Sequence, residues 1–153
     1  MAFTPATPDY AERIRESFAR GKMMDLIGAE IAAIEPGYVA IALPHADALT
    51  QQHGFFHAGA VATIADTAGG YAAYTLFPAG TSVLTAEFKI NFLAPARGVR
   101  LLARGRVIKP GRTLTTCDIE VAALGEDGGE KLCAKSLQTM AQVQGRDDIA
   151  RPG

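Results

Sequence analysis

The densest run of chemically capable side chains is Gln51-Gln52-His53-Gly54-Phe55-Phe56-His57-Ala58-Gly59. Gln51 offers a neutral amide in a loop. His57 and Ala58 stand where a helix is expected to begin. A helix start gathers unpaired N–H groups and the positive end of the dipole. That end can stabilise a carbonyl oxygen as it gains negative charge. Asp66 follows nine residues after His57, about two and a half turns along such a helix. Its helical neighbours Ala62, Thr63, Gly69, Gly70 and Ala73 are small, with the bulkier Ile64 and Tyr71 opposite. Two readings fit Asp66: a solvated carboxylate on an exposed face, or a functional one if a sheet wraps the helix.

Other constellations are weaker. His53 and His57 are four apart and could join Asp66 at a metal. Gly54 between them argues against a continuous helix there, and no cysteine stands near, so no metal site is expected. No Gly-x-Ser-x-Gly elbow is present, and neither cysteine sits at a helix start, so nucleophilic serine or cysteine chemistry has no support. Lys109, Arg112 and Arg97 flank expected turns. They fit ordinary turn solubility, or a scattered cationic rim for phosphates. No glycine-rich phosphate loop is present, so nucleotide hydrolysis is not expected.

The sequence has 153 residues, 48% of them hydrophobic and 20% charged, which suits one folded domain over 1–153. Fifteen Lys and Arg against sixteen Asp and Glu give a formal charge of -1, without the basic footprint of a nucleic-acid binder. No apolar run is long enough to span a membrane, and the first residues lack a secretory pattern. Cys117 and Cys133 lie in strand-like runs and read as reduced, buried thiols. A cytoplasmic protein is expected.

The elements that must position these residues follow from pattern. A helical extension covers about 8–28: a short amphipathic helix over 8–20 closed by Gly21, then a turn from Met23 to Ile27. A hairpin joins strands 29–34 and 38–43 around Pro36-Gly37. Residues 57–77 hold ten Ala or Gly and read as one helix ended by Pro78-Ala79-Gly80; its small residues suggest close approach of backbone or ligand. Strands then follow at 81–93, 99–108, 113–124 and 131–143. In the first, Leu84, Ala86, Phe88, Ile90 and Phe92 alternate with Thr85, Glu87, Lys89 and Asn91. Short connections predict a four-stranded antiparallel meander. The tail from about 145 is expected to fray. The fold class is α+β: a curved antiparallel β-sheet wrapped around one long central helix, with open edges that favour an oligomer.

HGFFHAGAVATIADTAGGYAA, then TSVLTAEFKINFLAPA and KPGRTL, resembles the hotdog-fold acyl-CoA thioesterases of the phenylacetate-degradation (PaaI) type. The likeness covers about residues 22–144. Its most specific piece is Gly54-x-x-His57-x-Gly59 with Asp66 at its fixed distance. The resemblance implies a hotdog fold and dimers that pair into tetramers, with two active sites at each dimer interface. It implies an acyl-CoA substrate with a small, aryl or medium-chain acyl group, and no cofactor, membrane or nucleic acid. Asp66 matches the family's carboxylate, a general base on water or a nucleophile giving a mixed anhydride. The N–H of Ala58 matches the donor that polarises the thioester carbonyl, and His57 shapes that pocket. Thr85 matches a Ser/Thr position that assists the water, expected from the partner subunit. Gln51, commonly Asn in this subfamily, would orient water or thioester. Gly59, Phe55 and Phe56 are expected to contact substrate, and Lys109 and Arg112 to meet the coenzyme A phosphates.

Two positions depart from the family pattern. Ala58 replaces the usual first Gly of His-Gly-Gly, where only the backbone N–H is needed. Gln51 adds one methylene to the usual Asn. The alternatives are a non-catalytic acyl-CoA-binding hotdog protein or a hotdog hydratase or dehydratase. The Asp-x-Asn-Pro-x-His motif of the latter is absent. Phe55 and Phe56 read equally as ordinary core.

Overall fold

The computed structural model describes residues 3–146, so the tail expected to fray lies largely outside the described residues. Helices α1 (Tyr10–Ala19) and α2 (Lys22–Ile27) lead into a hairpin, β1 (Glu30–Glu35) and β2 (Tyr38–Pro44). The long helix α3 (Ala58–Tyr74) precedes β3 (Thr81–Phe92), β4 (Arg100–Lys109), β5 (Leu114–Leu124) and β6 (Glu130–Gln144). All six strands form one antiparallel sheet, and α3 packs against β2 to β6. This is the hotdog arrangement. Among the described residues, no helix is long and apolar enough to cross a membrane.

The small residues of α3 explain its seat. Val61, Ile64, Ala65, Ala68, Gly69, Ala72 and Ala73 are buried against the sheet. Opposite them, Gly105 of β4 comes so close that a Cβ there would collide with the Ala68 carbonyl. Backbone therefore meets backbone, and larger residues on either side would force the layers apart. Val39, Ile41, Leu43, Leu101, Ile119 and Val121 complete this interior, each large aliphatic stabilising by about 1.5–3 kcal/mol on burial. Helix α3 ends at Tyr74, before Pro78. There Thr75 Oγ1 donates to Ala72 O at 2.6 Å and accepts the Gly37 N–H at 2.7 Å.

The predicted meander is not what forms. The strand order is β1-β2-β4-β5-β6-β3, so β3 lies beside β6 and β4 lies beside β2. Residues 93–99 do not turn back as a hairpin. Leu93 N donates to Cys133 O on β6 at 2.9 Å, and Val99 N donates to Leu124 O on β5 at 2.8 Å. The chain is handed across the ends of two strands before it enters β4. Pro95 has no N–H to offer a hairpin ladder.

The alternation read over 81–93 is also broken. The β3–β6 register shifts between Thr85 and Glu87. Thr85 opposes Met140 before the shift, and Phe88 opposes Gln138 after it. Met140 and Gln138 are both buried, and opposed residues share a face. Thr85 therefore faces α3 along with Phe88, Ile90 and Phe92, instead of away from them. Strand β3 is an edge of the sheet, with Leu84, Phe88 and Phe92 40–57% exposed.

Candidate active site

Asp66 is half-buried on α3. Two side chains grip the same carboxylate oxygen. Thr85 Oγ1 on β3 donates to Oδ1 at 2.7 Å, and Gln138 Nε2 on β6 donates to Oδ1 at 2.5 Å. The other oxygen, Oδ2, accepts no hydrogen bond among the described residues. Thr85 was expected to assist the water from the partner subunit; within one chain its hydroxyl instead donates to Asp66 of the same chain. The bulge makes this possible, because it aims Thr85 at the helix without moving the apolar residues after it off that face.

Asp66 opens into a cleft of about 340 Å³. Its apolar wall includes Met23, Met24, Tyr71, Val83, Leu84 and Met140. Tyr71 was expected opposite Asp66, yet it lines the same cleft, one turn further along α3 with Gly70. Helices α1 and α2 roof this cleft. Ser17 Oγ lies 3.0 Å from Tyr71 Oη, and Phe18 packs on the Tyr71 ring at 6.0 Å. Arg13 anchors the roof by donating to Phe77 O at 3.1 Å and Pro78 O at 3.2 Å.

The helix start lies elsewhere. His57 is the N-cap, with ψ 141°, and its Nδ1 accepts the Gly59 N–H at 2.8 Å. Nδ1 therefore acts as an acceptor, and Nε2 carries the proton. Gly59, expected to contact substrate, spends its N–H on this cap, and its lack of a Cβ leaves room for the imidazole. The Ala58 N–H has no acceptor among the described residues. Ala58 shares a second cleft, of about 490 Å³, with Gln51, Phe55, Phe56 and the segment Phe92 to Ala96. Gln51 shapes that loop: its N–H donates to Phe55 O at 2.9 Å, its carbonyl accepts the Gly54 N–H at 2.9 Å, and its Oε1 accepts the His53 N–H. The amide NH2 is left for other partners. Phe56 is core, 4% exposed and edge-on to His45, while Phe55 is half-buried on the cleft wall.

One chain therefore does not assemble all the candidate residues. Ala58 and Asp66 stand eight positions apart on α3, about 12 Å of helix rise. Asp66 and Thr85 line one cleft, and Gln51, Ala58, Phe55 and Phe56 line the other. A thioester carbon needs its oxyanion donor and its carboxylate within about 3 Å of the reacting atoms. Lys109 and Arg112 are exposed around the β4–β5 connection and line neither cleft. Arg97 borders a third hollow with His45 and Glu126. Among the described residues, no three His, Cys, Asp or Glu side chains are arranged to hold a metal ion.

Sequence reasoning passed over Gln138. Its signal was present: counted in twos from Ala134, the inward phase of β6 holds Ser136 and Gln138, and a polar pair on a core-facing phase asks for partners. Cys117 lies nearby and is free, with its thiol donating to Gly69 O at 3.4 Å. Burial pushes that thiol up to about 12, so it carries no thiolate for nucleophilic attack at neutral pH.

Comparison with known proteins gives a consistent picture. The model of the thioesterase superfamily matches residues 53–129. A candidate esterase of Saccharolobus solfataricus is 36% identical over 126 residues, covering 82% of this chain and 81% of that protein. The crystal structure of a thioesterase family protein from Silicibacter pomeroyi is 47% identical, with a TM-score of 0.87, covering 89% of this chain and 99% of that one. The E. coli PaaI protein from the phenylacetic acid degradation operon shares the fold at 19% identity and a TM-score of 0.79, with 92% and 97% covered.

Proposed function

The chain belongs to the thioesterase superfamily and is a thioester hydrolase, and from that premise we propose that it hydrolyses an acyl-CoA with Asp66 as the catalytic carboxylate. The observation that carries this reading is the state of Asp66: Oδ1 is held by Thr85 and Gln138, and Oδ2 is unpaired beside an apolar cleft. A carboxylate so placed has one oxygen fixed for orientation and one left for reaction.

Each site is built from two copies of the chain. The edge strand β3 exposes apolar side chains, and edge-to-edge pairing with a second β3 would bury them and extend the sheet. That pairing brings the helix start of one copy toward Asp66 of the other. The Ala58 N–H then donates to the thioester oxygen as it becomes an oxyanion. Oδ2 either removes a proton from water, which attacks the carbonyl carbon, or attacks that carbon itself to give a mixed anhydride. On collapse of the tetrahedral intermediate the C–S bond breaks, and the coenzyme A sulfur leaves with the electron pair and takes up a proton; on the anhydride route water then attacks the anhydride, releasing the free acid and restoring the Asp66 carboxylate. Gln51 offers its amide NH2 to the water or the thioester, and the His57 cap holds the helix start in shape.

The cleft beside Asp66 takes the acyl group. Its volume and its Met, Val, Leu and Tyr walls fit a small, aryl or medium-chain acyl group. Lys109 and Arg112 would meet the coenzyme A phosphates in solution. The assembled form is a dimer, pairing further into a tetramer, in the cytoplasm.

Free thiol release from a panel of short, medium, long-chain and aryl-acyl-CoAs tests the reading. Wild type turns over at least one, and Asp66→Ala loses at least a hundredfold in kcat. Equal rates would remove Asp66 from the mechanism. No turnover by wild type on any member would point to a binding protein instead.

A further inference from the structure

Gln138 is wholly buried in the middle of β6, and its side-chain amide reaches across to α3. Nε2 lies 2.5 Å from Asp66 Oδ1 and 3.3 Å from the Asp66 carbonyl oxygen. Two acceptors on one side fix the amide orientation, because a flipped Oε1 would face two oxygens. The opposite end of the amide is unpaired: Gln138 Oε1 is buried without a hydrogen-bond partner among the described residues. An unpaired buried amide oxygen carries its full desolvation penalty. A methionine of similar length beside Gly69 and Cys117 would carry no unpaired oxygen. Packing alone therefore does not account for a glutamine here; what the amide adds is its two hydrogen bonds to Asp66.

Gly69 makes the arrangement possible. A Cβ on Gly69 would collide with Gln138 Oε1 and press within 2.9 Å of Ile119 Cδ1. The absence of a side chain at Gly69 thus leaves the amide room to reach Asp66 on the same helix.

We infer that Gln138 is a positioning residue for Asp66, holding Oδ1 so that Oδ2 faces the cleft in its reactive orientation. This rests on the proposed role of Asp66. Thr85 alone leaves the carboxylate free to turn about a single hydrogen bond, whereas two donors from two strands, β3 and β6, fix its plane. Because Gln138 has no access to substrate, its effect falls on turnover and not on acyl-CoA binding.

The test uses the full chain in its native oligomer, with the best acyl-CoA of the panel. Gln138→Met lowers kcat at least tenfold while KM stays within about twofold. Gln138→Glu keeps the shape but places a carboxylate against Asp66, and such a pair shares one proton at low pH. Its kcat, relative to wild type, rises as pH falls from 8 to 5, when the shared proton restores a donor. Unchanged kcat in Gln138→Met, or equal losses in kcat and in KM, overturns the inference. So does a relative kcat of Gln138→Glu that is flat with pH, and this variant carries the test by itself if Gln138→Met does not fold. Asp66→Ala runs alongside. If it turns over like wild type, the reading of Asp66 falls. If it is inactive while Gln138→Met matches wild type, only the positioning role falls.

Discussion

Thr85 donates its hydroxyl proton to Asp66 Oδ1 at 2.7 Å, and it can do so because one extra residue bulges out of β3 directly after it. Without that bulge, Thr85 could not share the helix-facing side with Phe88 and Ile90. Hydrogen bonds to a charged group contribute about 1.5–3 kcal/mol, so Thr85→Val should lower kcat by about 10- to 150-fold. Thr85 is exposed in the single chain, so the thermal midpoint should stay within a few degrees. Steady-state kinetics and a melting curve on the same preparation decide it; a variant as active as wild type would detach Thr85 from the reaction.

The close seat of α3 on β4 has its own consequence. Gly105→Ala pushes a methyl group into the Ala68 carbonyl. Overpacking of this kind costs about 1–3 kcal/mol. Urea unfolding should show the midpoint reduced and the slope preserved. An unchanged midpoint would mean that the two layers can separate without penalty.

Cys117 sets an alkaline limit on stability. Burial holds its thiol at about 12 in the folded chain, against an ordinary value of 9.0. Above pH 9.0 the unfolded chain releases this proton while the folded chain keeps it. Its contribution is therefore complete below 9.0 and is lost as pH rises toward about 12, at up to about 1.4 kcal/mol per pH unit. Urea titrations at pH 8, 9.5 and 10.5 should show wild type losing stability more steeply than Cys117→Ala. Parallel losses would exclude a buried, protonated thiol.

The exposed side chains of β3 should govern assembly. Phe88→Glu puts a charge on the edge strand where Phe88 is 40% exposed. Sedimentation should show monomers with unchanged far-ultraviolet circular dichroism and with thioester hydrolysis lost. An active, monomeric Phe88→Glu would contradict a shared site.

Much of this architecture could be read from residue order, and the exceptions have identifiable physical causes. The helix start was found to within one residue, because His57-Ala58-Gly59 carries both the cap and the small residues that a close-packed helix needs. The strand limits followed from Pro36-Gly37, Pro78-Ala79-Gly80 and Pro110-Gly111. The neighbours of β3 were misread because Pro95 to Gly98 looks like a turn, while the hydrogen bonds that carry it across β6 and β5 involve Cys133 and Leu124, far away in sequence. The bulge was invisible because residues 84–92 alternate without interruption, and only pairing with β6 shifts the phase. Tyr71 was placed opposite Asp66 because helix periodicity does not say which residues a separate helical roof will cover. Gln138 escaped notice because β6 alternates weakly, and its partner lies 72 residues away.

The central claim is that Asp66 of one copy works with the Ala58 N–H of another, and subunit mixing tests it most directly. Ala58→Pro deletes that N–H at the first helical position, where proline is well accommodated, and the ψ of 141° at His57 already suits a following proline. Asp66→Ala and Ala58→Pro should each be inactive alone. Unfolded or dissociated together and reassembled, they should recover about a quarter of wild-type thiol release, because each mixed dimer contains one intact site. Mixed dimers verified by mass with no recovered activity would contradict a site shared between copies.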